Sequence, residues 1–320
     1  MLSSLDLVSS DALNRHYRQY KLQELFFLYL FLTLEETNQF HLTIKTPLEN
    51  KYSEVNIPAV DFKSALAVNN ANLENIYPEL TKGKLSGEVF QDSTYVLTIN
   101  SFDFNNEEKE ALLQGFSGIF KKLNSESFKN LIIDVRHNQG GRRDVAAILY
   151  SYLTDETFRQ RDSSVIKTIH IDTTYLMSPN NVAALNKYLK KTFGENQMEE
   201  TDHLKDLMEP QEDYFRGNIA VVIGNGTFSA GAEFALTCKQ NPMIKVFGEE
   251  SGGNAVKHNG DLTLQFKLPN SGIEVKIPMV KIFHNLLDIS DENRTDGIMP
   301  DFEVKDKMNN DLYREVLNSL

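Results

Sequence analysis

The sequence predicts an α/β fold with a largely parallel sheet. Three observations carry that prediction. Between residues 93 and 249, strand-like apolar runs alternate with helix-like amphipathic runs, the order that parallel pairing through helical crossovers requires. The runs "KNLIIDVR" (129–136) and "GNIAVVIG" (217–224) are nearly continuous in apolar residues, as buried strands are. Several of these strands end in glycine-bearing turns, at Gly140-Gly141, Gly224 and Gly252-Gly253.

The elements follow in chain order. Residues 3–24 read as a helix, with Leu5, Leu13, Tyr17 and Tyr20 set among polar residues. "LFFLYLFLTL" (Leu25 to Leu34) is interrupted only by Thr33. A membrane span needs about 20 apolar residues, so the run reads as a buried helix or strand. "FHLTIKT" (40–46) alternates as a strand does, and "PLENKYSEVNIPAV" adds a turn and a second strand. Residues 61–85 are polar and irregular, a connector. This sets a lead-in region of helix plus β-hairpin over 1–85 and a main core over 86–320.

In the core, "STYVLTINSF" (93–102) is a strand. "NNEEKEALLQGFSGIFKKL" (105–123) is a helix, acidic in its first turn and basic in its last. A strand (129–136), a helix (143–153), a strand (217–224), the helix "GAEFALTCKQ" and a strand (244–249) continue the alternation. Residues 195–215 are strongly acidic and read as a solvated insertion. "DLTLQFKLPNSGIEVKIPMV" (261–280) reads as a hairpin turning at "PNSG", and "DGIMPDFEV" (296–304) as a turn and a short last strand.

The 320 residues are 41% hydrophobic and 24% charged, an ordinary globular balance. Net charge is -12, which argues against nonspecific nucleic-acid binding. Cys238 is the one cysteine, so an intrachain disulfide and a four-cysteine metal site are excluded. The first 20 residues are mixed and polar and show no export signal. The chain is also compatible with being part of a longer exported protein.

Four stretches could carry chemistry. In "GNGTFSAGAEFALTCKQ" (224–240), Ser229 stands between a strand and a helix. It either caps the helix or is a nucleophile held at the helix N-terminus. In "LIIDVRHNQGG" (131–141) a glycine pair follows a strand. Such a pair permits positive φ and close backbone approach, and its N–H groups could serve an oxyanion. The plainer reading is a strand-to-helix turn held by an Asp134–Arg136 pair, and taken alone this stretch favours it. "VFGEESGGNA" (246–255) and "DGIMPDFEV" complete the set.

Together, in this order and spacing, the four stretches resemble peptidase family S41, the tail-specific or C-terminal-processing serine proteases. The likeness covers roughly residues 88–305. It implies a crotonase-like spiral of β-sheets with flanking helices, serine-type hydrolysis of polypeptides, and no metal or organic cofactor. It also implies an exported, periplasmic or cell-envelope setting. By resemblance, Ser229 falls on the nucleophile position, and the oxyanion hole on Ala230 and the Gly140-Gly141 turn. The lysine of the processing branch would fall on Asn254, whose amide cannot take the serine proton.

The lysine-lacking branch, similar to the tricorn core, uses a histidine and a glutamate. The D-G-H-T turn that carries the branch's histidine is absent here, which leaves as base candidates His41, at a strand edge, and His258, four residues after Asn254; by resemblance the acid falls near Asp291-Glu292, with Glu292. With both the lysine and the D-G-H-T histidine absent, the chain is expected to be weakly active or inactive. The rival to a peptidase is a degenerate member that binds a peptide or an apolar ligand without efficient cleavage; interphotoreceptor retinoid-binding protein resembles the same core.

Overall fold

The computed structural model describes residues 14–24, 37–46, 51–61, 63–65, 67–68, 83–91, 93–168, 171–177, 182–193, 207–285, 296–305 and 309–320. The apolar run 25–34, most of the acidic stretch 195–215, and Glu292 lie wholly or largely outside these. The chain divides into two compact units. One holds Met1–Ser9 with Arg18–Gly83, the other Ser10–Tyr17 with Lys84–Leu320.

In the smaller unit, β1 (Gln39–Thr46) and β2 (Lys51–Pro58) form an antiparallel hairpin. His41 lies on β1 opposite Asn56, and its Nδ1 contacts Asn56 Oδ1. The helix α1 (Arg15–Glu24) starts among residues of the larger unit and ends in the smaller one; Asn14 precedes it, and its Oδ1 accepts the N–H of Tyr17 as a helix cap.

The larger unit is α/β, as the alternation predicts. Its main sheet combines β3 (Leu85–Val89), β4 (Thr94–Ile99), β5 (Asn130–Asp134), β7 (Asn218–Ile223), β8 (Ile244–Gly248) and β11 (Phe302–Glu303). The order is β11-β8-β7-β5-β4-β3; only β3 pairs antiparallel. A second sheet joins β6 (Arg161–Ile166), β9 (Lys257–Lys267) and β10 (Glu274–His284) in the order β6-β10-β9.

The helices that cover the main sheet follow local rules. In α2 (Asn106–Ser125), Asn105 and Glu108 exchange side-chain to backbone hydrogen bonds in a capping box. Phe116, Phe120 and Leu123 of α2 are fully buried, at the spacing of one helical face. The helices α3 (Arg143–Ser151) and α5 (Ala230–Lys239) join the same core, which includes Leu97, Ile133, Val221, Val145, Leu149 and Phe234. The helix α4 (Val182–Phe193) buries Leu189 and Phe193 against Val280 and Ile282 of β10. On the other face of the sheet, α6 (Asn309–Ser319) buries Leu312, Tyr313 and Val316 against Val96, Ile132 and Val222. Alternate residues of β4, β5 and β7 thus feed two cores, which explains why these strands read as continuously apolar.

Candidate active site

Ser229 stands between β7 and α5, at the position preceding the helix. Its backbone is at φ 50°, ψ -125°, a region that costs a non-glycine residue roughly 1–3 kcal/mol. Its side chain makes no capping hydrogen bond, so the cap reading loses its physical basis. The turn is over-determined by its neighbours. Thr227 is fully buried; its Oγ1 donates to Val135 C=O (2.8 Å) and accepts from Gly224 N–H (3.0 Å). Phe228 N–H donates to Asn138 C=O (2.9 Å), and Gly231 N–H to Phe228 C=O (2.9 Å).

The turn after β5 lies directly against this serine. A Cβ on Gly140 would stand 2.7 Å from Ser229 Cβ and 3.1 Å from Ala230 N, and Gly140 is at φ 102°. Only glycine permits this approach. Asn138 fixes the turn: its Nδ2 donates to Ile99 C=O (3.0 Å) and its Oδ1 accepts Gly140 N–H (2.9 Å). The Gly140 N–H is therefore engaged. Among the described residues, the N–H groups of Gly141 and Ala230 have no acceptor. Upstream, Asp134 accepts from Arg136 Nη2 (2.8 Å) and from Tyr313 Oη (2.8 Å). Burial pushes the Asp134 carboxyl up, but the Arg136 guanidinium outweighs this and holds it below the usual carboxylate range.

The loop after β8 closes a third side. A Cβ on Gly253 would lie 3.4 Å from Ser229 N. Asn254 is buried, and its Oδ1 accepts the N–H groups of Val256 (2.8 Å) and Lys257 (2.9 Å). Its amide thus holds its own loop. Residues 14–17 border this loop: Asn14 Nδ2 donates to Ser251 C=O (2.9 Å), and the rings of Tyr17 and Phe228 stack at 4.3 Å.

Of the two base candidates, His258 is buried with both ring nitrogens engaged. Its Nδ1 is 2.9 Å from His284 Nε2, and its Nε2 is 3.4 Å from Glu233 Oε1. His41 stands in the smaller unit. Among the described residues, no imidazole, amine or carboxylate hydrogen-bonds the Ser229 hydroxyl. Glu233, His258 and His284 bring donor atoms within 4.8 Å of one another, the one group among the described residues with the makings of a metal site. Those donors meet each other and the Arg161 guanidinium, whose Nη2 is 2.6 Å from Glu233, so a cation would face a fixed positive charge.

Sequence reasoning missed Arg161 and Glu233, and gave Asn138 and Thr227 no role beyond their places in the turns. Asn138 and Thr227 sit in recognisable turns, but which carbonyls they bind depends on strand adjacency that one sequence does not display.

His284 gives the site's surroundings an acid limit. Burial, then the nearby His258, lowers its pKa from 6.5 to about 4. A base whose folded pKa is depressed contributes stability that is complete above its unfolded pKa and is lost on acidification. The window here runs from 6.5 down to about 4, and the loss is roughly 3 kcal/mol. Urea unfolding across this window should show that decline, and His284→Asn should flatten it.

Residues 94–304 match the peptidase family S41. The chain belongs to that family. Among solved structures, the likeness to mature CPAF supports the fold. Mature CPAF matches with a TM-score of 0.52 at 16% identity, covering 84% of this chain and 63% of that one. A lipoprotein from Streptococcus agalactiae gives 0.42 at 17% identity, covering 75% and 71%. The photosystem II D1 C-terminal processing protease gives 0.40 at 14%, covering 87% and 59%. The chain therefore spans about three-fifths of the length of mature CPAF. A comparison with curated proteins finds no match. No helix among the described residues is long and apolar enough to cross a membrane.

Proposed function

We propose that this S41 member is a serine peptidase that cleaves polypeptides through an acyl-enzyme on Ser229. One observation carries the reading. Ser229 is held at φ 50°, ψ -125° in a buried strand-to-helix turn, with no capping bond to account for it. Strain of this kind, kept in place by surrounding structure, belongs to nucleophiles presented at the tip of such a turn. The Oγ adds to the substrate carbonyl carbon while its proton passes to a base. The oxyanion takes the N–H groups of Ala230 and Gly141, which the helix N-terminus assists. Collapse expels the amine and leaves an ester, which water then hydrolyses.

The base in this reading is His41 and its acidic partner Glu292, both assigned by the family resemblance. His258 is set aside because its nitrogens serve Glu233 and His284. Polypeptide is the partner class, and an extracytoplasmic setting follows only from the family resemblance. A fluorophosphonate probe with peptide mapping tests the assignment: labelling at Ser229 is expected, and labelling elsewhere or none on folded protein would overturn it. His41→Ala should slow labelling roughly 10²- to 10⁴-fold, the worth of a positioned base.

A second reading, a member that binds peptide or an apolar ligand and cleaves poorly, is favoured by the lack of a base against the Ser229 hydroxyl among the described residues. An unlabelled protein that still binds an unfolded polypeptide would establish it.

A further inference from the structure

The helix that follows Ser229 buries a carboxylate one turn along. Glu233 is 1% exposed, and its N–H donates to Ser229 C=O (2.9 Å). Two nitrogens of Arg161 converge on its Oε1, Nε at 2.9 Å and Nη2 at 2.6 Å, while Nη1 reaches Asp261 at 2.6 Å. Arg143, at the start of α3, adds to the positive field at Glu233. From the other side comes a chain of imidazoles. Glu233 Oε1 faces His258 Nε2 at 3.4 Å, His258 Nδ1 faces His284 Nε2 at 2.9 Å, and His284 Nδ1 faces Ala255 C=O at 3.2 Å.

Distances show which group holds the carboxylate. The chain has three links and ends in an acceptor at each side. Three hydrogen bonds need three protons, and two neutral imidazoles carry two. Burial lowers the pKa of both histidines, so neither supplies the third near neutral pH. The imidazole link to Glu233 is the longest of the three at 3.4 Å, whereas Arg161 places two nitrogens within 2.9 Å of the same oxygen. Glu233 Oε2 has no partner among the described residues. Arg161 is thus the group that fixes Glu233.

Burying an ion pair is an expensive way to fill space, since apolar side chains of similar volume often serve stability as well or better. What the pair adds is a fixed position. We propose that Glu233 is a positioning residue: clamped by Arg161, it sets the first turn of α5 and so the placement of the Ser229 hydroxyl and the Ala230 N–H. This rests on Ser229 being the nucleophile.

The test uses Glu233→Gln, Glu233→Leu and Arg161→Lys in the full chain. Peptidase kinetics, thermal unfolding and amide hydrogen exchange over residues 229–233 are read for each. Misplacement of a reacting group by an ångström can cost about 10²-fold. The expected result is a kcat reduced about 10- to 100-fold with KM little changed, and faster exchange of the first turn. Glu233→Gln, whose Oε1 still accepts from Arg161, should retain more rate than Glu233→Leu. Where Glu233→Leu does not fold, the other two decide.

Folded variants with unchanged kcat, or with losses only in KM, would overturn the proposal. So would stoichiometric zinc in the purified protein whose chelation alters first-turn exchange, because a cation would then hold Glu233. If the wild-type serine proves inert, the nucleophile reading fails, and the exchange arm still judges the clamp: first-turn exchange unchanged by all three variants sinks it.

Discussion

Ser229→Ala is expected to abolish hydrolysis and fluorophosphonate labelling with the fold intact. Removal of the nucleophile from a serine peptidase lowers turnover roughly 10⁴-fold or more. Stability makes the experiment discriminating. Loss of a helix cap costs about 1 kcal/mol, but Ser229 makes no capping bond. The expected change in unfolding free energy is therefore within about 0.5 kcal/mol. Ser229→Gly goes further. Glycine adopts φ 50° without strain, so this inactive variant should match or exceed wild type, by up to about 1 kcal/mol. A serine whose removal kills activity while relieving strain is placed for chemistry. Normal turnover in Ser229→Ala, or a stability loss of a full cap, would return the residue to a structural role.

Gly140→Ala should be nearly as damaging by a different route. The new methyl would lie 2.7 Å from Ser229 Cβ and 3.1 Å from Phe228 O and Ala230 N, at φ 102°. Neither side can yield easily, since Asn138 ties the turn to Ile99 and to Phe228. The expected cost is about 2 kcal/mol or more in stability, with activity down by about 10² through displacement of the serine. Gly118→Ala, on α2 where a Cβ meets nothing within 4 Å, is the control. It should be neutral or stabilising by up to about 1 kcal/mol.

Much of the core was legible because its elements obey local rules. The strand expected at 129–136 is β5 at Asn130–Asp134, and the helix expected at 105–123 is α2 at Asn106–Ser125. The hairpin turning at "PNSG" is β9 and β10, longer than expected because their ends pair with polar residues such as Lys257 and His284. The strand β6 went unread for a related reason. Its sequence, "RDSSVI", carries an arginine where apolar periodicity would place a core residue, and that arginine is matched by Glu233 and Asp261 on other elements. A single sequence shows such an ion pair as two unrelated charges. Ser229 and the glycine pair were legible through their motifs; the strained backbone and the engaged Gly140 N–H were not, because both arise only when the two turns meet.

The Asp134–Tyr313 hydrogen bond spans 179 positions. Arg136, four residues before Gly140, also reaches Asn309 (2.6 Å). Asp134 and Arg136 pair within the turn, but Tyr313 and Asn309 complete their buried hydrogen bonds, which are costly to leave unmade, and on a ribosome those two residues are made well after the turn. At about 5–20 residues per second, many seconds pass between synthesis of the turn and synthesis of α6. The turn should therefore settle fully only after residue 313 has emerged. Stalled chains that end before α6 should be refractory to fluorophosphonate, and those extending beyond it should react.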